Sequence, residues 1–193
     1  MMARKAGLSA GDVVAAAAEI ADAEGADAVT LASVASRLGV RPPSLYAHVD
    51  GLQGVRRLLA LQAARELGVA LRAAVQGRTG TEALREVAHA YRRFAREHPG
   101  LYGAAQRAVR PGEDDELYRA LAEPVLPVLR ALGDAGVTEA DRVHLARAFR
   151  SALHGFVVLE RGGGFGMPES VDESFGRMVE LLLAGVAASA GGR

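Results

Sequence analysis

Between residues 41 and 48 the chain reads Arg-Pro-Pro-Ser-Leu-Tyr-Ala-His, and most of these side chains offer chemistry that a packed core does not need. Arg41 can donate two parallel hydrogen bonds to a guanine edge, while Ser44, Tyr46 and His48 can reach phosphate oxygens. Pro42, Pro43 and Ala47 lie in the same stretch and are equally dispensable for packing. Residue types of this kind, gathered on one short segment, point to contact with nucleic acid.

That segment has to be held by something. Leu45 and Val49 have the spacing of one packing stripe, and Leu31, Val34, Ala35 and Leu38 have that of the stripe facing it. Thr30 caps a short helix over 31–38, which Gly39 ends in a left-handed conformation. The small Ala35 permits close helix approach. Pro42 and Pro43 open the next short helix, since a first turn leaves its N–H groups without helical partners. Upstream, Ser-Ala-Gly-Asp at 9–12 gives a capping box for a helix that ends near Glu24, before Gly25. A helix, a short helix, a turn at 39–41 and a second short helix form a helix-turn-helix.

Charge is distributed in the same sense. The 193 residues carry 23 basic and 23 acidic side chains, so bulk charge does not attract the protein to nucleic acid or membranes. Locally, residues 10–29 hold five acids and no base, whereas residues 30–57 hold Arg37, Arg41, Arg56 and Arg57 against Asp50 alone. Arg4 and Lys5 add charge to an N-terminal arm, and the balance favours a positive face toward phosphate. The alternative is a small helical bundle with ordinary surface arginines.

Composition removes other classes. No cysteine is present, which excludes a disulfide scaffold, a thiolate metal site and a cysteine nucleophile, and fits a cytoplasmic protein. The apolar runs at 13–18 and 181–188 fall short of the roughly 18 residues that span a membrane. Arg4 and Lys5 before an alanine-rich run imitate a signal peptide, but Asp12 and Glu19 bracket that run and make it a helix. None of His48, His89, His98, His144 and His154 has metal-binding helical spacing, so no metal and no cofactor is expected. Gly-Gly-Gly-Phe-Gly at 162–166 lacks the Lys and Ser/Thr of a phosphate loop. No G-x-S-x-G elbow is present.

The rest of the chain also has helical periodicity. Helices are expected from Gly51 to about Gln76, then over 81–97, 99–108, 114–132, 141–161 and 170–189. Pro124 and Pro127 should kink or split the fourth of that series. The expected fold is all-α, with a helix-turn-helix domain at 1–50 and a helical ligand-binding and dimerisation domain at 51–193. Tyr91, Phe94, Tyr102, Phe149, Leu153 and Phe156, with His98, Gln106 and His154 as polar contacts, are the candidate lining of a site for an apolar or amphipathic small molecule. The broad apolar faces at 141–161 and 170–189 exceed what a single internal contact requires. An all-helical carrier or enzyme using the same cavity is the competing reading.

Residues 29–55, VTLASVASRLGVRPPSLYAHVDGLQGV, resemble the DNA-binding signature of TetR-family transcriptional regulators. The match includes Leu45-Tyr46-Ala47-His48 and, at the expected spacing, Thr30, Ala35, Gly39 and Val40. The resemblance implies a homodimer that binds a palindromic double-stranded DNA operator, usually represses, and releases DNA when a small effector binds. It also implies that Tyr46 and His48 contact phosphates, that Thr30 lies near the DNA backbone, and that Arg41 to Ala47 face the major groove. The lysine usual at the start of the fourth helix is Leu52 here, leaving Arg56 and Arg57 as candidates to replace its phosphate contact. The basic residue common two positions after Thr30 is Ala32. Residues 90–102, 152–160 and 172–175 resemble a subgroup named for a Trp-His-Gly motif, with Leu153 in place of the tryptophan before His154-Gly155. In TetR-like proteins the last two long helices pack against their copies as a four-helix bundle.

Overall fold

The computed structural model describes residues 7–106 and 109–191. These form nine α-helices and no strand: α1 (Ala10–Glu24), α2 (Leu31–Leu38), α3 (Gly51–Ala74), α4 (Gly80–Glu97), α5 (Pro99–Ala104), α6 (Asp115–Ala122), α7 (Leu126–Asp134), α8 (Glu139–Arg161) and α9 (Val171–Gly191). Short 3-10 segments occur at Ala26–Ala28, Pro42–Ala47 and Glu123–Val125. The all-α expectation holds.

Local chemistry explains most of the boundaries. The Ser9 hydroxyl accepts from Asp12 N, and the Asp12 carboxylate accepts from Ser9 N at 2.8 Å, completing the capping box. Thr30 Oγ1 accepts from Ser33 N at 3.0 Å, and Ser33 Oγ accepts from Thr30 N at 2.9 Å. Gly39 follows α2 at φ 66°, left-handed as the turn requires. Thr138 caps α8 by accepting from Asp141 N. Pro124 lies in the 3-10 segment between α6 and α7 and Pro127 in the first turn of α7, so the long helix expected over 114–132 is split there. Two expected helices end early: α3 at Ala74 rather than Gln76, and α5 at Ala104 rather than at 108.

The chain packs as two compact units. Among the described residues, the first joins 7–65 to 98–106 and 109–121, and the second joins 66–97 to 122–191. Within the first, α1 packs against α2 and α5, and α2 against the 3-10 segment. Its core includes Val13, Ile20, Val34, Leu45 and Val55, each at most 1% exposed. Full burial of a side chain such as Leu45 stabilises by about 1.5–3 kcal/mol. A second cluster in this unit joins Ala60, Leu61 and Ala64 of α3 to Leu117 and Ala120 of α6. Within the second unit α4 is central, packing against α7, α8 and α9. These units describe packing, and the functional division at 50/51 is a separate proposal.

Candidate nucleic-acid interface

The segment 41–48 has a backbone set by its prolines. Neither Pro42 nor Pro43 can donate a backbone hydrogen bond, and each disfavours helical geometry in the residue before it. Arg41 is accordingly extended, at φ −84° and ψ 143°. The bonds that do form are three-residue steps: Ser44 N donates to Arg41 O, and His48 N to Leu45 O, both at 2.9 Å. The expected second short helix is therefore a 3-10 segment, Pro42–Ala47, rather than an α-helix.

This backbone separates the packing side chain from the chemical ones. Leu45 is fully buried against α2, while Tyr46 is 63% exposed. Arg41, Pro42, Pro43, Ser44 and Ala47 are exposed as well, and His48 is half-buried. Leu45 and Val49 thus anchor a surface of one guanidinium, two hydroxyls and one imidazole. Thr30 is exposed, with its hydroxyl engaged in the α2 cap. Arg4 and Lys5 lie outside the described residues.

Ion pairing changes the expected charge distribution. Arg57 does not replace the missing lysine. Its Nε donates to Asp114 Oδ2 at 2.5 Å, and its Nη2 donates to Asp114 Oδ1 and Glu116 Oε2 at 2.9 and 2.8 Å. Those bonds raise the Arg57 pKa and lower that of Glu116. Arg37 is also committed, to Glu19 at 3.1 Å and Glu24 at 3.5 Å. Arg41 and Arg56 are exposed, and none of the ion pairs found among the described residues includes either. They are the two exposed arginines of this region that stand outside those ion pairs.

A connection absent from the sequence reading secures α1. Asp22 Oδ1 accepts from Gly100 N at 2.7 Å and from Leu101 N at 3.2 Å, so a carboxylate of α1 caps the start of α5. His98 Nδ1 lies 3.6 Å from Asp22 Oδ2. The helices approach so closely that a Cβ on Gly100 would sit 2.2 Å from the Ala21 carbonyl carbon. No local pattern announces this pairing, because its partners are 78 and 79 residues apart.

The candidate ligand residues fall in both units. His98, Tyr102 and Gln106 belong to the first unit; Tyr102 is 1% exposed, and Gln106 Nε2 donates to its carbonyl at 3.3 Å. Tyr91, Phe94, Phe149, Leu153 and Phe156 are buried in the second, and His154 is half-buried there. Phe156 meets Phe165 and Phe175 with ring centroids 4.7 and 5.1 Å away. Beside it Arg92, 7% exposed, donates from Nε to Glu160 at 2.9 Å, pairs with Asp172 at 2.7 Å and lies over the Phe175 ring. The sequence reading missed this buried cation.

Residues 84–182 match the family model described as "Tetracyclin repressor-like, C-terminal domain". The uncharacterized HTH-type transcriptional regulator YobS of Bacillus subtilis is 37% identical over 185 residues, spanning 96% of both chains. This chain belongs to the TetR family of transcriptional regulators. The uncharacterized HTH-type regulator Rv0681 of Mycobacterium tuberculosis is 36% identical over 96% of this chain and 84% of its own length. Among solved structures, BioQ with its double-stranded DNA operator superposes at TM-score 0.70, with 27% identity over 94% of this chain and 99% of that one. TetR-family proteins of this kind are DNA-binding regulators rather than enzymes. Among the described residues of this one, no helix is long and apolar enough to cross a membrane.

Proposed function

We propose that this TetR-family regulator is a cytoplasmic repressor that reads a palindromic operator as a homodimer and releases it on binding a small apolar or amphipathic molecule. The observation that carries the reading is the segment 41–48, where one buried leucine leaves Arg41, Ser44 and Tyr46 exposed and His48 half-buried. In this reading Arg41 to Ala47 enter the major groove, with base contact from Arg41. Tyr46, His48 and Arg56 hold phosphates, Thr30 caps α2 near the DNA backbone, and Arg4 and Lys5 add further phosphate contacts. The functional boundary lies at 50/51.

Pairing of two copies is supported by apolar surface on the last two helices. Val143, Val158 and Leu159 of α8 are 46–51% exposed, and Leu181 of α9 is 73% exposed. A two-fold interface would cover these patches and place two reading segments on successive half-sites. The effector would draw on Tyr91, Phe94, Phe149, Leu153 and Phe156, buried in the second unit, with His154 of the same unit as a polar contact. His154-Gly155 supports the Trp-His-Gly subgroup. An effector acts through its differential affinity for the DNA-competent and incompetent states.

Selection of the purified protein against a randomised DNA pool tests the DNA reading, with Tyr46→Ala and Arg41→Ala alongside. An enriched palindrome is expected. Tyr46→Ala should weaken binding uniformly across sequences, whereas Arg41→Ala should cost about 1–3 kcal/mol and relax preference at one position. Enrichment that neither variant changes would remove this segment from the interface.

A further inference from the structure

The second unit contains a cavity of about 690 Å³ where the end of α3, the 77–79 turn, the start of α4 and one side of α7 meet. Its size is within the range of small-molecule sites. None of the nine residues named as the candidate effector lining from the sequence lines it.

Its lining has two chemical halves. Val75, Ala83, Leu126 and Ala131 are apolar, and Leu126 remains 59% exposed to the opening. Around them stand three guanidiniums, from Arg72, Arg78 and Arg130, against the one carboxylate of Asp134. Two of the cations already have partners, though exposed ones. Arg72 Nη1 is 3.1 Å from Glu123; Arg78 Nε is 3.6 Å from Glu82, and its Nη1 donates to Gln76 O at 3.2 Å. Exposed pairs of this kind are weak and exchange readily for another anion. Arg130 is exposed and belongs to none of the ion pairs found among the described residues. The first turn of the 18-residue α4 adds the positive end of a helix dipole to the same opening.

From this combination we infer that the α3–α4–α7 cavity binds an amphipathic organic anion, its hydrocarbon body on Leu126, Val75 and Ala131 and its carboxylate or phosphate head between Arg78 and Arg130. A neutral apolar molecule would leave the guanidiniums unused, and an inorganic anion would leave the apolar floor wet. The inference does not rest on the repressor reading, because its readout is binding to the free protein.

Titration calorimetry on the full chain at low salt tests it, using decanoate and decyl phosphate as the two head groups, decanol as the neutral analogue and inorganic phosphate as the head alone. One or both amphiphilic anions should bind at least tenfold more tightly than decanol and inorganic phosphate, and which of them does so identifies the head. Arg130→Glu and Leu126→Glu, both at exposed positions, should each lower that affinity at least tenfold without moving the melting temperature. Arg78→Ala should weaken binding of the anions and leave decanol unchanged. Binding of decanol as tight as that of both anions, no binding of any amphiphile, or binding that both glutamate variants leave unaltered would overturn the assignment.

Discussion

At the scale of single residues, partners matter as much as identity. Arg56 and Arg57 are adjacent and chemically identical, yet Arg57 is held by Asp114 and Glu116 while Arg56 stays exposed. A guanidinium held by a bidentate carboxylate must give up those bonds before it can meet a phosphate. His154 shows environment acting on a proton. Burial, and then the positive charge of Arg150, hold its pKa below the ordinary value of 6.5. The fold keeps the neutral imidazole, so the unfolded chain protonates first as pH falls. The stability involved is complete above the unfolded value and is lost as pH drops from there to the folded value. His154→Gln should therefore flatten the fall in stability between pH ~7.5 and ~5.5, measured by denaturant titration at each pH. An unchanged slope would mean that His154 is equally easy to protonate in both states.

At the scale of elements, the segment 41–48 depends on helices whose ties are long-range. The Asp22 cap and the close approach at Gly100 join α1 to α5 within one compact unit. A methyl group has no room there, so Gly100→Ala has to push the two helices apart. Overpacking of this kind costs about 1–3 kcal/mol. The expected result is a lower denaturation midpoint with an unchanged slope, whereas Gly103→Ala, where a Cβ meets nothing, should be tolerated far better. Equal effects of the two substitutions would show that the α1–α5 contact is looser than the structure has it.

At the scale of the whole molecule, neutrality and apolar surface decide what the protein meets. With equal numbers of acids and bases, attraction to DNA has to come from a local face. Leu181, 73% exposed on a helix whose other side is core, is the sharpest test of pairing. In a two-fold interface it is covered twice, so Leu181→Glu should weaken dimerisation by about 3 kcal/mol or more, on the order of a hundredfold. Sedimentation velocity over a concentration series reads that shift directly. A wild-type chain that stays monomeric at every concentration, or a variant that pairs as tightly, would refute pairing through α9.

What the sequence determined by itself was local in its physics. Helix periodicity, the Ser9–Asp12 and Thr30–Ser33 boxes, the left-handed Gly39 and the breaks around Pro124 and Pro127 all act within about four residues, the reach of a helical turn. The same reach made the set 41–48 legible, because removing Leu45 and Val49 as packing residues leaves the exposed ones. The tertiary structure alone decided the rest. It made Pro42–Ala47 a 3-10 turn, committed Arg37 and Arg57 to carboxylates, set Asp22 on α5, buried Arg92 between Glu160 and Asp172, and gathered three arginines around one cavity. Except for the 3-10 turn, whose two adjacent prolines are local, these results join groups far apart in the chain. Which acid meets which base at such separations depends on how the helices pack, and the period of a single helix carries no information about that.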